Sequence, residues 1–224
     1  MLAIAHRGCM DDYPENTEAA FRAVAPKADI VECDVQRCRS GELVVFHDET
    51  VERVTDGSGR VDERDWSRLR ELDVHGSGER IPLLDEVLRA VPADTGITVE
   101  LKAEGIASEV VERVRTVENE VIVSSFYWEE LRRSEAAGAS SLAVLCHEDP
   151  DGALSVADEL DADYIHPPKE LCIESDIVER AHDRGVKVNV WTGETPEDIV
   201  ELREAGVDGI SVNKVALLER ITGR

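Results

Sequence analysis

Short runs rich in β-branched residues alternate along the whole chain with segments that carry apolar residues at three- and four-residue spacing. Eight runs predict strands, at about residues 2–6, 29–35, 97–101, 121–125, 142–146, 163–166, 186–190 and 209–212. Eight segments predict helices, at 17–24, 83–91, 107–116, 128–137, 152–160, 175–184 and 196–205 and from about Val215. Eight strand–helix pairs in 224 residues favour an α/β protein with a closed (β/α)8 TIM barrel, in which residues 1–224 form a single domain.

An open, doubly wound α/β sheet is the alternative to the barrel. Such a sheet usually has fewer strands, and its first strand is often followed by a glycine-rich turn that binds phosphate. Here the first predicted strand ends in His6-Arg7-Gly8, without that glycine pattern. One region, residues 36–82, breaks the alternation with a hairpin, turn residues and a short charged helical piece at 63–72. A loop of this length inside a compact barrel typically forms part of a functional site.

The second predicted strand and the residues after it place two carboxylates and a histidine close together. Glu32 and Asp34 are two residues apart in a strand, so their side chains face the same side. The turn-like residues 39–42 leave too little chain before the apolar run 43–46 for a parallel crossover. The chain must therefore return as a hairpin, which carries His47 towards the carboxylates. This stretch alone is compatible with a metal site beside a proton-transfer group, and equally with a polar strand face and a surface histidine.

The barrel prediction brings further polar and aromatic residues to the same place. Active sites of such barrels lie at the carboxyl ends of the strands. Residues predicted at those ends or on the hairpin are His6, Arg7, Glu32, Asp34, His47, Glu100, Lys102, Ser125, Phe126, His147, His166, Trp191 and Asn213. Their convergence on one mouth favours the metal site over the polar strand face.

The acidic and imidazole groups of this set predict a cation and a proton-transfer pair. Glu32, Asp34 and Glu100 suit a hard divalent cation, Mg2+ or Ca2+, because these ions prefer oxygen ligands. Without a cation, three crowded carboxylates would repel each other and raise each other's pKa values. His6 and His47 could also bind the cation, but two histidines that are free of metal make a general acid and base pair.

The remaining residues of the mouth predict a substrate class. Arg7 and Lys102 add positive charge that suits a phosphoryl oxygen. Phe126 and Trp191 would form a wall against the substrate. Together with the cation and the histidines, these groups predict hydrolysis of a small-molecule phosphate ester.

Composition excludes other classes of function. The formal net charge of -24 is opposite in sign to that of a nucleic-acid-binding protein. No apolar run is long enough to insert into a membrane and no signal segment is recognisable, which predicts a cytoplasmic protein. The five cysteines are odd in number and scattered, which argues against disulfides and a zinc–thiolate site. An acidic, lysine-poor surface suits a protein that must stay soluble in concentrated salt, and predicts a halophilic source; an ordinary acidic enzyme is the alternative.

Several motifs occur in order along almost the whole chain. They are His6-Arg7-Gly8, Pro14-Glu15-Asn16-Thr17, Glu32-Cys33-Asp34-Val35, Val44-Val45-Phe46-His47-Asp48 and Glu100-Leu101-Lys102, extended by Arg53, Thr55, Gly59, Ile81-Pro82-Leu83-Leu84, Glu86, Ser124-Ser125-Phe126 and Trp191-Thr192. In combination they resemble the signature of the glycerophosphodiester phosphodiesterases, although a single piece such as His-Arg-Gly would be a weak signal.

The resemblance implies a TIM barrel that hydrolyses a glycerophosphodiester to an alcohol and glycerol phosphate, as part of glycerol and lipid metabolism. It implies one divalent cation, Mg2+ or Ca2+, at the three carboxylates. It also implies an acid–base role for His6 and His47, with Arg7 and Lys102 near the phosphate. In the family mechanism the neighbouring glycerol hydroxyl attacks phosphorus, and water opens the cyclic product of that step.

The chain departs from the family pattern at three rim positions. The hairpin turn reads Cys38-Arg39-Ser40-Gly41, where the family often has Thr and then Asp-Gly. After Trp191-Thr192 the chain has Gly193-Glu194, where the family often has Val-Asn. The last strand ends in Val212-Asn213, where the family usually has Thr-Asp. Because they lie on the rim, these departures bear on which substrate the enzyme selects more than on the chemistry of the reaction. His147 and His166 lie near the mouth and are rim residues or direct participants.

Two other functions fit the same barrel. A phospholipid-cleaving lyase would use the same histidines and cation but release a cyclic phosphate. A catalytically inert binding barrel would keep the fold but not the activity. The sequence argues against it, because every charged group expected for catalysis is present.

Overall fold

A computed structural model describes residues 1–223. Within this range eight parallel strands close into a barrel, and a ninth, short strand lies outside it. The barrel strands are β1 (Leu2–His6), β2 (Ile30–Arg37), β4 (Gly96–Leu101), β5 (Val121–Ser125), β6 (Leu142–Leu145), β7 (Tyr164–His166), β8 (Lys187–Gly193) and β9 (Gly209–Val212). The outer strand is β3 (Leu43–Val45). The predicted TIM barrel with a hairpin after its second strand is confirmed.

Helices cover the barrel, as the apolar spacing predicts. They are α1 (Glu18–Val24), α2 (Trp66–Leu69), α3 (Leu84–Ala90), α4 (Ala107–Val114), α5 (Trp128–Ala136), α6 (Pro150–Glu159), α7 (Lys169–Glu174), α8 (Ile177–His182), α9 (Pro196–Glu204) and α10 (Val215–Thr222). The charged segment 63–72 forms only the single turn α2, preceded by a 3-10 turn at Val61–Glu63. Helix α7 was not predicted. Over residues 1–223 the helices are all too short or too polar to span a bilayer.

Barrel closure aligns the residues that the sequence places at strand ends. Strand β1 pairs with β9 on one side and β2 on the other, and His6 lies opposite Glu32 in the register. Asp34 lies opposite Glu100 in the pairing of β2 with β4. Because all the barrel strands are parallel, these side chains come together at one end of the barrel.

The barrel interior is divided into an apolar floor and a polar upper part. The floor is a buried cluster formed by Ile4, Ile30, Ile122, Ala143 and Tyr164. Outward-facing strand residues such as Val31, Val99 and Ile165 pack against the helices in the main core. The cysteines of residues 1–223 are all unpaired and buried, as their scattered spacing predicts.

The insertion between β2 and α3 has a small core of its own. Strand β3 pairs antiparallel with the end of β2, with Val35 opposite Val45. A separate buried cluster supports it, formed by Cys38, Val44, Phe46, Val51, Val54, Val61, Leu69, Val74 and Ile81. Gln36 Nε2 donates to the carbonyl oxygens of Phe46 and Asp48, both at 2.8 Å, and fixes the end of the hairpin above the barrel.

The loop after β4 is held by a buried carboxylate from a neighbouring helix. Glu130 of α5 is fully buried and accepts hydrogen bonds from the backbone N–H groups of Gly105, Ile106 and Ala107 at 2.8, 3.1 and 3.0 Å. These donors precede or begin α4 and have no partner within their own helix. The contact therefore joins α4 to α5 and fixes the chain that leaves the end of β4.

We expect Glu130→Ala to lower the free energy of unfolding by about 3 kcal/mol, because it leaves three backbone donors, two of them buried, without their charged acceptor. Urea-induced unfolding followed by circular dichroism measures the change. The control is Glu129→Ala at the adjacent, exposed position, which should cost less than about 1 kcal/mol. Equal effects of the two substitutions would contradict the structural role of Glu130.

Candidate active site

Three carboxylates from adjacent strands meet at the mouth of the barrel. Glu32 and Asp34 project from β2 and Glu100 from β4, and one oxygen of each lies within 4.8 Å of the others. Within residues 1–223, Glu32 Oε1 and Asp34 Oδ1 are buried and accept no hydrogen bond. Buried polar atoms are usually paired, so these two oxygens are available to a ligand. The donor set, three carboxylates and unpaired oxygens, fits a hard divalent cation.

The electrostatics of the cluster support the same conclusion. Burial, with the charges of Asp34 and Glu100, raises the pKa of Glu32 well above its ordinary value. Burial and the charge of Asp34 raise the pKa of Glu100 to about 7. Burial also disfavours ionised Asp34, but Arg7, His47 and Lys102 outweigh it and lower the Asp34 pKa. A bound cation would offset the repulsion that opposes full ionisation of the cluster.

Arg7 is positioned by an unusual turn directly after β1. Its φ of 50° lies in the left-handed region, and its backbone N–H donates to Glu32 Oε2 at 3.0 Å. Its Nε lies 3.1 Å from Asp34 Oδ2 in an ion pair. The next residue, Gly8, has a φ of 79°, and a Cβ there would lie 2.7 Å from the Ala20 side chain. Only glycine therefore allows this turn to pack against α1.

His6 is held by a residue from the opposite end of the chain. Its Nδ1 lies 2.7 Å from Asn213 Oδ1, and its Nε2 lies 3.9 Å from Glu32 Oε2. Burial and then the charge of Arg7 lower the pKa of His6 to about 4, so the ring is neutral. The sequence predicts Asn213 at the mouth, at the end of the last strand, but not its contact with His6. The structure brings it to His6 because β9 closes the barrel against β1.

His47 is held from the insertion side. Its Nδ1 lies 2.6 Å from Asp48 Oδ1, and Asp48 in turn accepts hydrogen bonds from Arg53. Burial lowers the pKa of His47, and the charges of Arg7 and Lys102 add to this while Asp34 opposes it. The predicted hairpin does bring His47 to the carboxylates, and the surface-histidine alternative does not describe it.

A buried carboxylate links the two sides of the mouth. Glu15 Oε1 lies 3.2 Å from Arg7 and 2.8 Å from Arg53, and Glu15 Oε2 lies 2.7 Å from Arg53. Its neighbour Asn16 donates from Nδ2 to Asp34 Oδ2 at 2.9 Å. Glu15 and Asn16 belong to a motif quoted above, but their contacts were not predicted.

Lys102 follows the last residue of β4 and lies beside the carboxylates. Its Nζ is 2.8 Å from Glu100 Oε1 and 3.9 Å from Asp34 Oδ1. Burial opposes its charge, but Glu100 and Asp34 raise the pKa of Lys102 above its ordinary value. The mouth therefore contains a fixed ammonium group as well as the guanidinium of Arg7.

A cavity of about 450 Å³ joins these groups and opens to solvent between aromatic rings. Phe126 is 40% exposed and contacts Trp191 edge to face, with ring centroids 5.8 Å apart. His147 is also exposed, and its ring lies 5.7 Å from that of Trp191. His166 lines the inner part of the cavity and is buried, so it is not a rim residue. Phe126 and Trp191 thus lie where the sequence predicts a substrate wall.

Comparison with known proteins gives one consistent result. The sequence model described as the glycerophosphoryl diester phosphodiesterase family matches residues 6–217. A glycerophosphodiester phosphodiesterase of Caldanaerobacter subterraneus subsp. tengcongensis is 36% identical over 225 residues, covering 93% of this chain and 92% of that protein.

Solved structures agree with this result. The crystal structure of a glycerophosphodiester phosphodiesterase from Thermotoga maritima superposes with a TM-score of 0.86 at 26% identity, covering 99% of this chain and 98% of that one. The structure of an Oleispira antarctica phosphodiesterase in complex with the product sn-glycerol-3-phosphate shares the fold, with a TM-score of 0.88, 24% identity and coverage of 100% and 97%. Since the family match spans nearly all of the chain, the chain is an enzyme of the glycerophosphoryl diester phosphodiesterase family.

Proposed function

We propose that the protein hydrolyses glycerophosphodiesters to an alcohol and glycerol phosphate, with one divalent cation at Glu32, Asp34 and Glu100. The observation that carries the proposal is that two members of this carboxylate cluster, Glu32 and Glu100, line one cavity together with two histidines and two cationic side chains. When bound, Mg2+ or Ca2+ would supply electrophilic stabilisation of the phosphoryl charge.

The cationic side chains suit the binding of the phosphate group. Arg7 and Lys102 both lie beside the carboxylates, and each is held by ion pairs, Arg7 with Asp34 and Lys102 with Glu100. Their charges would balance the negative charge that develops on the phosphoryl oxygens in the transition state. Arg7 can present its planar guanidinium to two oxygens, whereas Lys102 acts as a point charge.

The histidines suit proton transfer at two positions. Both rings are hydrogen-bonded at Nδ1, to Asn213 and to Asp48, which leaves Nε2 of each ring for the substrate. One imidazole, in its neutral form, would accept at Nε2 the proton of the attacking glycerol hydroxyl, while the other, protonated at both ring nitrogens, would donate its Nε2 proton to the oxygen of the leaving alcohol. Opening of the cyclic phosphate by water would reverse these roles and restore both rings.

The aromatic rim suits the alcohol half of the substrate. Phe126 and Trp191 offer ring surfaces at the solvent side of the cavity, away from the carboxylates. Contact with these rings would hold headgroups of different size without fixed hydrogen bonds.

The test is an assay of the purified protein against a panel of glycerophosphodiesters, with and without chelator, with products followed by phosphorus NMR. We expect glycerol phosphate as the final product and no activity in chelator. Persistence of a cyclic phosphate would favour a lyase instead, and no turnover of any diester with added cation would favour an inert barrel.

The net charge of -24 leads us to propose that the protein is adapted to salt. The screening length is about 10 Å at 0.1 M salt and about 3 Å at 1 M, so repulsion between surface carboxylates is strong only in dilute buffer. We expect the melting temperature to rise from dilute buffer to a few tenths molar NaCl. A rise that continues into the molar range would indicate ion binding or salting-out as well. A melting temperature that does not change with salt would contradict the proposal.

A further inference from the structure

Arg53, in the insertion, binds two carboxylates at once and is not used by the proposed reaction. Its Nε and Nη2 donate to Asp48 Oδ2 and Oδ1 at 2.5 and 3.1 Å. Its Nη1 and Nη2 donate to Glu15 Oε2 and Oε1 at 2.7 and 2.8 Å. Two bidentate contacts of this kind fix the plane of the guanidinium, because its donors form a rigid fork.

Glu15 holds this guanidinium from the barrel side. The side chain of Glu15 is 4% exposed, whereas that of Arg53 is 44% exposed. Burial opposes ionisation of Glu15, but hydrogen bonds from Arg53 and Arg7 and the charges of both lower the pKa of Glu15. Arg53 is therefore anchored to a buried, ionised group on one side, while its other side remains open to solvent.

Asp48 lies between Arg53 and one of the two histidines. Its Oδ1 is 2.6 Å from His47 Nδ1. Burial opposes ionisation of Asp48, but hydrogen bonds from Arg53 and His47 outweigh it and lower the pKa of Asp48 to about 2. An ionised carboxylate only accepts hydrogen bonds, so the Nδ1 atom that is bonded to it carries a proton. In the neutral ring the lone pair is then on Nε2, the atom assigned above to the substrate.

Arg53 and its two carboxylate partners are not among the described residues that line the cavity, whereas His47 and Arg7 are. An effect of Arg53 on the reaction must therefore pass to His47 or to Arg7. Arg7 has a second anchor in Asp34, at 3.1 Å. Within residues 1–223, the His47 side chain has Asp48 as its only hydrogen-bond partner. The route to His47 is therefore the one that depends on Arg53.

We propose that Arg53 is a positioning residue, which fixes the tautomer and the direction of the His47 ring through Asp48. The inference rests on the proposed function, in which His47 transfers a proton. If His47 acts as base, the fixed tautomer leaves Nε2 free to accept a proton; if it acts as acid, the same carboxylate stabilises the charged ring. Without the guanidinium, Asp48 can turn to solvent and the ring can take up its proton at Nε2.

Steady-state kinetics of Arg53→Ala test this role. We expect kcat to fall about 10–100-fold, the effect usual for a partner behind a directly acting group, while KM changes less than about threefold. Arg53→Lys keeps the charge but not the fork, so its kcat should stay at least about fivefold below that of wild-type protein. Guanidinium ion at millimolar concentration should restore much of the kcat of Arg53→Ala, because the site is open to solvent on one side.

Arg39→Ala is the matched control. Arg39 makes the same kind of bidentate contact, with Asp65 at 2.9 and 2.6 Å, at the outer edge of the insertion. This variant should have the kcat of wild-type protein, and guanidinium should leave its kcat unchanged.

The route through Asp48 is tested by combining Arg53→Ala with Asp48→Ala. Because both substitutions act on one ring, the double variant should have a kcat less than about threefold below that of Asp48→Ala alone. Multiplication of the two single effects would show that Arg53 acts by another route and would overturn the inference.

NMR of protein labelled with 15N-histidine observes the ring without catalysis. At a pH where His47 is neutral, we expect its proton on Nδ1 in wild-type protein, a mixture of both tautomers in Arg53→Ala, and a return to the Nδ1 form with guanidinium. Loss of the signal in His47→Ala assigns it. The wild-type tautomer in folded Arg53→Ala, or a kcat within about threefold of wild type, would overturn the inference. Failure of the proposed reaction would appear instead as no hydrolysis by wild-type protein, and the tautomer would still decide the role of Arg53.

Discussion

Excess chelator is expected to abolish hydrolysis of glycerophosphodiesters, and addition of Mg2+ or Ca2+ to restore it. Glu32 and Asp34 are buried and Glu100 lies beside them, and without a cation burial and the charges of neighbouring carboxylates disfavour ionisation of Glu32 and Glu100. Glu32 Oε1 and Asp34 Oδ1 are buried and accept no hydrogen bond, so they are the oxygens at which we expect the cation to bind.

Glu100→Gln should weaken cation binding by about 100-fold or more, since even partners outside the direct ligands contribute 10–100-fold. The measurement is the rise in melting temperature on titration with each cation, which does not depend on activity. Glu104→Gln, at an exposed position of the next loop, is the control and should leave the titration unchanged. Full activity in excess chelator, or equal cation affinity of Glu100→Gln and wild-type protein, would contradict the cation site.

His47→Ala and His6→Ala are each expected to lower kcat by about 10²–10⁴-fold, the usual contribution of a general acid or base. KM should change much less, because we propose that Arg7 and Lys102, and not the histidines, bind the phosphate. Steady-state kinetics on one glycerophosphodiester at saturating cation measure the effect. A loss of this size corresponds to about 3–5 kcal/mol of transition-state stabilisation.

The control for the histidine variants is His182→Ala on the outer helix α8, where the ring is half-exposed and pairs with Asp208. It should have the kcat of wild-type protein. Circular dichroism and cation titration show whether the variants keep their fold and their metal site. Near-normal turnover of folded His47→Ala would exclude His47 from proton transfer.

The strands and the main groups of the mouth could be predicted because both depend on local patterns. Alternating β-branched and helical segments identify the barrel, and the barrel rule then places Glu32, Glu100 and Lys102 at one end. The short link after Asp34 was enough to predict the hairpin, because no other connection fits so few residues.

The contacts that orient these groups could not be predicted, since they join distant parts of the chain. The partner of His6 is Asn213, 207 positions away, and the partner of Asp34 is Asn16, 18 positions away. The contact of His6 depends on closure of the barrel, and the contact of Asp34 depends on the left-handed backbone of Asn16. No rule of sequence spacing reveals either feature. Burial of His166 was left open for the same reason, because the depth of a residue depends on where the floor of the barrel lies.

The bridge formed by Glu15 between Arg7 and Arg53 has a consequence for how this barrel can diversify. The insertion is fastened to the barrel at its inner edge, through Arg53, Asp48 and Gln36. Its outer edge lies around Arg39 and Asp65. These two exposed residues form an ion pair with each other that includes none of the three fastening residues. A loop transplanted from another barrel can therefore replace the outer edge, whereas one that lacks the guanidinium at position 53 would leave Glu15 and Asp48 without a shared counter-charge.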